Sequence, residues 1–224
     1  MNTIALIPAR GGSKGIKRKN IKLFNSKPLI YWSINAALKS HFIDRVVVST
    51  DDQEIAEIAK SFSAEVPFLR PKEFAKDESP GIEPVLHALE MIPNVKEILL
   101  LQPTSPLRQT YHIDQIFSLK EKFKSESIVS VSKAKNHSDL FFQMNSNNII
   151  SPVSKSFKAM PRQKYPDLYT VNGALYLSSK KSILQHKSLF SSTSLGYIMS
   201  ERDSIDIDTE LDWEIAEFLM KKIL

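Results

Sequence analysis

The run Thr3-Ile4-Ala5-Leu6-Ile7, followed at once by Pro8-Ala9-Arg10-Gly11-Gly12-Ser13-Lys14-Gly15-Ile16-Lys17-Arg18-Lys19-Asn20, decides the fold class. Five consecutive apolar or β-compatible residues with no alternation predict a strand buried on both faces, as in a parallel sheet. A glycine-rich turn directly after such a strand lies where open α/β sheets bind ligands. Three of the chain's 6 glycines fall in this turn. Six of its 30 basic residues (Arg10, Lys14, Lys17, Arg18, Lys19 and Lys22) crowd the same stretch.

Outward from that run, apolar strands alternate with amphipathic helices. Residues 28–40 predict a helix with Pro28 in its first turn, and Arg45-Val46-Val47-Val48-Ser49 a second strand. Thr50 and Gln53 have capping-box spacing ahead of a helix with Ile55, Ile58, Ala59 and Phe62 on one face. Residues 83–91 and 111–123 predict helices; residues 97–102 and 127–131 predict strands. Strands return at residues 174–177 and 196–199. A final helix from Thr209 carries Leu211, Ile215, Phe218 and Leu219 on one face, with Thr209 and Asp212 as a capping pair. The alternation predicts an α/β fold, a mainly parallel sheet flanked by helices in a Rossmann-like arrangement. Residues 136–171 break the pattern and are too long for a plain loop. They predict an excursion of short strands or a dimerisation arm, inserted between residues 1–135 and 172–224 of one catalytic domain.

Composition narrows the class. The chain has 224 residues, no cysteine, 42% hydrophobic and 25% charged residues, and a net charge of +5. A chain this long can bury a core without disulfides or a structural metal. The absence of cysteine excludes thiol chemistry and favours a reducing compartment, so a cytoplasmic location is expected. No apolar run is long enough for a membrane span, and the opening residues lack the basic region of a signal peptide. A pI near 9.2 points to anionic partners.

Three segments bear the chemistry. In the basic turn, glycines let backbone N–H groups approach an anion, and lysine and arginine add charge. The spacing is neither a Walker A loop nor a dinucleotide fingerprint. The turn reads as a triphosphate cradle or as a solvated basic turn. Gln102-Pro103-Thr104-Ser105-Pro106-Leu107-Arg108 leaves the third strand at the same edge. Its side chains suit a base or sugar, its prolines a rigid turn. In Asp203-Ser204-Ile205-Asp206-Ile207-Asp208-Thr209-Glu210-Leu211-Asp212, an extended backbone points Asp206 and Asp208 the same way. That pair suits Mg²⁺ sharing its coordination with phosphates; the alternative is acid placed to complement a helix dipole.

Taken in order, these segments resemble the cytidylyltransferases that activate nine-carbon sugar acids, the CMP-N-acetylneuraminate (CMP-sialate) synthetases. Val48-Ser49-Thr50-Asp51 and Asn172-Gly173-Ala174 add to the likeness, which spans essentially the whole chain. The resemblance implies a nucleotide-diphospho-sugar transferase-like fold and a homodimer whose excursion reaches the partner's site. It implies CTP and a 2-keto sugar acid as substrates, Mg²⁺ as cofactor, and the CMP-sugar and pyrophosphate as products. It assigns the catalytic roles to Arg10, Lys14, Lys19 and Asp208, and the metal to Asp206 and Asp208. The nucleotide falls to Arg10, Gly11, Gly12, Ser13, Lys14, Lys19, Asn20, Arg70 and Gln102. The sugar falls to Gln102, Thr104, Ser105, Arg162, Asn172 and Tyr176. Relatives commonly have proline where this chain has Lys17. The loop from Gln102 and the segment from Asp206 favour the sialate and legionaminate branch over pseudaminate, with Kdo more distant. No histidine has a general-base setting: His41, His87, His112, His137 and His186 are scattered. From another class, the basic pI fits a nucleic-acid-binding module, but the excess charge is confined to one loop rather than spread along a groove.

Overall fold

A computed structural model describes residues 2–75, 80–154 and 165–223. The order is β1 (Thr3–Pro8), β2 (Leu23–Phe24), β3 (Lys27–Pro28), α1 (Leu29–Leu38), β4 (Arg45–Ser49), α2 (Gln53–Ser61), α3 (Glu83–Met91), β5 (Glu97–Leu100), α4 (Thr110–Phe123), β6 (Ser127–Lys133), β7 (Phe142–Met144), β8 (Ile150–Pro152), β9 (Tyr169–Ser179), α5 (Lys180–His186), β10 (Leu195–Ile198) and α6 (Glu210–Met220).

The main sheet has six strands in the order β10-β6-β9-β5-β1-β4. β1 runs parallel to β4 and β5, and β10 parallel to β6. β9 is antiparallel to both of its neighbours, β5 and β6. The expectation of a mainly parallel sheet holds, but the residue 174–177 strand is its one reversed member. Five strands therefore deliver their carboxyl ends to one edge, and β9 enters the sheet from that edge.

β1 explains itself by burial. Ala5 and Ile7 join a core with α1, α2 and α4, whereas Ile4 and Leu6 join a second core with α3 and α5. With both faces covered, no polar alternation is possible. A third cluster holds Ile16 of the basic turn, Ile207 of the acidic segment, Leu107, and Trp213, Ala216 and Met220 of α6. Two chemistry-bearing segments and the loop after β5 thus share one apolar anchor.

The structure changes three local readings. Pro28 ends the β2–β3 hairpin and precedes α1 instead of lying in its first turn. Thr50 and Gln53 form no capping box; Asp52 is the N-cap of α2, accepting from the Ile55 N–H, and the Thr50 hydroxyl accepts from the Asp52 N–H. Asp competes well for that position because its short carboxylate reaches the free amides of the first turn. α6 does begin with the Thr209/Asp212 box, but the apolar face read from its spacing is turned outward. Leu211, Ile215 and Phe218 are exposed, while Trp213, Ala216 and Met220 are buried. One bulky indole outweighs the more regular stripe. The excursion does contain short strands, as expected: β7 pairs antiparallel with β8, and Phe142, Met144 and Ile150 of this hairpin are exposed. Among the described residues no helix is long and apolar enough to cross a membrane.

Candidate active site

The carboxyl edge of β1, β4 and β5 opens into a cleft of about 450 Å³. Arg10, Ser13, Lys14, Gly15, Lys19 and Asn20 line it from the basic turn; Gln102 and Thr104 from the β5 loop; Arg70 from the segment after α2; and Asp206 and Asp208 from the acidic segment. Of the residues assigned from the sequence, ten therefore meet around one space.

Local bonds hold the turn open. The Gly11 N–H donates to Asp51 Oδ1 at 3.0 Å. The buried Asn20 amide donates to the Arg10 carbonyl at 3.0 Å, so Asn20 shapes the turn from within it. Lys19 Nζ donates to the Ile207 carbonyl at 2.7 Å and to Asp208 Oδ1 at 3.2 Å. The turn meets the acidic segment so closely that a Cβ on Gly15 would stand 2.3 Å from the Asp208 carbonyl oxygen. The acidic segment is in turn fixed by the Ile207 N–H, which donates to the Thr104 carbonyl at 2.8 Å.

The basic cluster divides. Arg18 pairs with Asp52 and Glu54 at the start of α2. Lys22 pairs with Glu210 at 3.0 Å and lies over the Trp213 ring. Lys17 is exposed outside the cleft lining. Arg10, Lys14 and Lys19 remain at the cleft, joined by Arg70, which is buried. Burial lowers the Arg70 guanidinium below its ordinary value; nearby Asp51 opposes that and the like charge of Arg10 adds to it. Two guanidiniums held together in a partly dry cleft favour an anion between them.

Opposite them, burial raises the Asp206 carboxyl above its usual range, a hydrogen bond from Thr104 opposes this, and the charge of Asp208 adds to it. Asp206 Oδ1 is buried and has no hydrogen-bond partner among the described residues. An orphaned carboxylate oxygen beside a second carboxylate fits a hard divalent cation. No group of three or more His, Cys, Asp or Glu side chains among the described residues could hold a metal without help. Such a cation would therefore need substrate phosphates or water to complete its shell.

The residues assigned to the sugar scatter more widely. Gln102 and Thr104 face the cleft, and the Gln102 side chain lies against Gly173, where a Cβ would meet its Oε1 at 2.3 Å. Gly173 has φ +76°, a conformation that favours glycine. Ser105 is fully buried, its hydroxyl unpartnered among the described residues, and lies outside the cleft lining. The Asn172 side chain accepts from Ser130 and donates to Ser204, so it braces the cleft wall from behind. Tyr176 is half-buried on β9, its hydroxyl pushed up by burial and by Asp206. Gly12 is exposed on the turn and is not among the residues lining the cleft. Arg162 lies outside the described residues.

Behind the acidic segment sits a polar knot that the sequence did not reveal. Buried Asp203 accepts from Ser200 at 2.8 Å, Arg202 at 2.8 Å and the Tyr111 hydroxyl at 3.3 Å. His112 Nε2 is 3.5 Å from Asp203, and its Nδ1 accepts from the Gln109 N–H at 2.9 Å. Burial holds the His112 imidazole down to about 4, with Asp203 opposing. The folded His112 thus resists a proton that the unfolded chain accepts near its ordinary 6.5. Its contribution to stability is complete above that value and is lost as pH falls toward about 4. By pH 5 the loss is roughly 2 kcal/mol. Urea melts at pH 7.5 and pH 5 check this: the drop should shrink in His112→Gln, and an equal drop in the variant would remove His112 as the cause.

Comparison with known proteins follows the same lines. Residues 4–210 match the family model described as cytidylyltransferase. The chain belongs to the cytidylyltransferase family. It is 36% identical over 227 residues to the CMP-N,N'-diacetyllegionaminic acid synthase of Legionella pneumophila, covering 99% of this chain and 97% of that protein. It is 35% identical over 220 residues to the N-acylneuraminate cytidylyltransferase of Escherichia coli, covering 98% of this chain. The chain spans about half the length of that relative, 52%. It is 32% identical to a pseudaminic acid cytidylyltransferase of Campylobacter jejuni, over 99% and 97% of the two chains. The fold matches a CMP-2-keto-3-deoxy-manno-octonic acid synthetase solved with CTP, at a TM-score of 0.76, 16% identity and full coverage of both chains.

Proposed function

We propose that this cytidylyltransferase joins CTP to a nine-carbon 2-keto sugar acid of the sialic or legionaminic type, giving the CMP-sugar and pyrophosphate. The observation that carries the reading is the cleft itself, where Arg10, Lys14, Lys19 and Arg70 face Asp206 and Asp208 across a space of about 450 Å³. The family match and the named relatives supply the nucleotide and the acid. Pseudaminate fits the same family and stands as the alternative acid.

In this reading the anomeric hydroxyl oxygen attacks the α-phosphorus of CTP. A new O–P bond forms, the bond to the bridging oxygen of the β-phosphate breaks, and pyrophosphate leaves; the hydroxyl proton passes to solvent. Transfer of this kind needs alignment and charge neutralisation more than covalent help. Arg10, Lys14 and Arg70 hold the phosphates, and Lys19 answers charge developing on the leaving group. Asp206 and Asp208 are the residues that would hold Mg²⁺, which when bound neutralises phosphate charge and acidifies a coordinated hydroxyl. Gln102 and Thr104 orient the acceptor. No histidine is among the described residues that line the cleft.

We further propose a cytoplasmic homodimer. The exposed Met144 and Ile150 of the β7–β8 hairpin support the dimer, since water-facing apolar side chains favour a partner surface.

A pyrophosphate-release assay with CTP, Mg²⁺ and a panel of nine-carbon acids tests the reaction. CTP- and acid-dependent release is expected. Release from no acid in the panel, with no thermal stabilisation by CTP, would overturn the reading.

A further inference from the structure

Arg108 is fully buried, 2% exposed, in the loop after β5. Its Nη1 donates to two backbone carbonyls, that of Gln102 at 3.2 Å and that of Ala174 at 2.8 Å. Its Nη2 donates to the Ser33 hydroxyl on α1, and that hydroxyl donates onward to the same Gln102 carbonyl at 3.3 Å. Its Nε has no partner among the described residues. Among the described residues no carboxylate offsets its burial, which alone pulls the guanidinium down to about 9. A buried charge without a counter-charge is costly, and an apolar side chain of similar volume usually serves stability as well or better. The retained guanidinium therefore calls for a role beyond filling space.

Its two carbonyls belong to either side of one contact. Gln102 sends its carboxamide into the cleft against Gly173, and Gly173 precedes Ala174 on β9. A Cβ at Gly173 would stand 2.3 Å from Gln102 Oε1 and 3.6 Å from Asp206 Oδ2. The Gln102 carboxamide, the Gly173 backbone and the Asp206 carboxylate therefore lie around one point, and a single nitrogen joins the main-chain carbonyl of Gln102 to that of Ala174, the residue after Gly173.

We propose that Arg108 is a positioning residue that clips the β5 loop to β9, fixing the Gln102 carboxamide for the acceptor side of the cleft. The inference rests on the proposed sugar-acid reaction for its kinetic readout and on geometry for its structural one. A guanidinium can bridge two carbonyls and a hydroxyl at once; an ammonium on a flexible stem keeps the charge but loses that fork.

The test uses Arg108→Met and Arg108→Lys in the full chain. Arg108→Met removes the clip and the buried charge together, and is expected to melt within a few degrees of wild type, as buried-charge replacements often do. Its kcat/KM for the sugar acid should fall on the order of 30-fold through lost alignment. The Kd for CTP measured alone should change less than about 3-fold, because the hydrogen bonds of Arg108 among the described residues go to Gln102, Ala174 and Ser33 and none to the basic turn. Arg108→Lys should remain at least about 10-fold impaired. Hydrogen exchange at residues 102–105 and 172–174 should accelerate in both variants.

Four results would overturn the clip: kcat/KM for the acid unchanged in folded Arg108→Met, CTP affinity falling in step with it, full rescue by lysine, or unchanged exchange in those segments. If Arg108→Met does not fold, Ser33→Ala removes one corner of the clip and should show the same acid-specific loss, smaller in size; its absence counts against the clip. Absence of turnover in the wild-type chain would instead remove the sugar-acid reading, and the exchange measurement would still decide the clip.

Discussion

Asp206→Asn is expected to lower kcat by about 10²–10³-fold, the range for removing one charge that stabilises a phosphoryl or acyl transfer. Asn is nearly isosteric, so the segment around Ile207 keeps its seat in the apolar cluster with Ile16 and Trp213. Stability should not fall with activity. The Asp206 carboxyl is already raised by burial, meaning its charged form is disfavoured where it stands. Neutralising it relieves that cost, so the melting temperature near neutral pH should hold or rise. A buried oxygen with no partner among the described residues, kept despite its cost, points to a group retained for what it binds. The measurement is pyrophosphate release at saturating CTP and Mg²⁺, alongside a thermal melt. Turnover within about threefold of wild type would remove Asp206 from the metal role.

Gly15→Ala is the second large effect. The added carbon would stand 2.3 Å from the Asp208 carbonyl oxygen, and a backbone oxygen cannot rotate aside. The basic turn and the acidic segment must separate. Lys19 would then lose its reach to the Ile207 carbonyl and to Asp208, now 2.7 and 3.2 Å away. A displacement near 1 Å between the proposed phosphate-holding and metal-holding groups is expected to cost on the order of 10²-fold in kcat/KM. CTP titration followed by thermal shift should show weaker binding as well. Gly12→Ala provides the control, because nothing lies within 4 Å of a Cβ there. Equal effects at both positions would mean that the close approach at Gly15 is irrelevant.

Much of the architecture was legible because burial leaves simple marks. A strand covered on both faces must be apolar along its middle, and residues 4–7 of β1 and 46–48 of β4 are. The cleft was legible for another reason: charged residues of both signs stood in segments that follow strands, and Arg10, Lys14, Lys19, Asp206 and Asp208 do converge. What escaped was set by long-range packing. The reversal of β9 leaves no trace in its own residues, because Ala174, Leu175 and Leu177 are as apolar as a parallel strand would be. The outward face of α6 was decided by Trp213 finding Phe24, at 5.3 Å between rings, not by helical spacing. Arg108 read as one more polar residue of a turn, since burial of a cation follows from which carbonyls happen to face it. Ser105 sits in the same motif and is sealed inside it, showing that a motif's polar residues need not all face the ligand.

The reversed strand also dictates an order of assembly. Leu177 of β9 lies between Leu99 of β5 and Ile128 of β6, paired to both. When a ribosome has released residues 1–133, the strands β4, β1 and β5 have all their mutual partners, but the inner edges of β5 and β6 have none. They stay open through the synthesis of the whole arm. Unpaired edges of this kind are templates for wrong partners, and long-separated pairing is slow. A chain stopped before β9 therefore carries most of the proposed phosphate-side residues on half a sheet, with one raw edge on β5 and two on β6, and maturation of this protein depends on its last quarter arriving before another strand does.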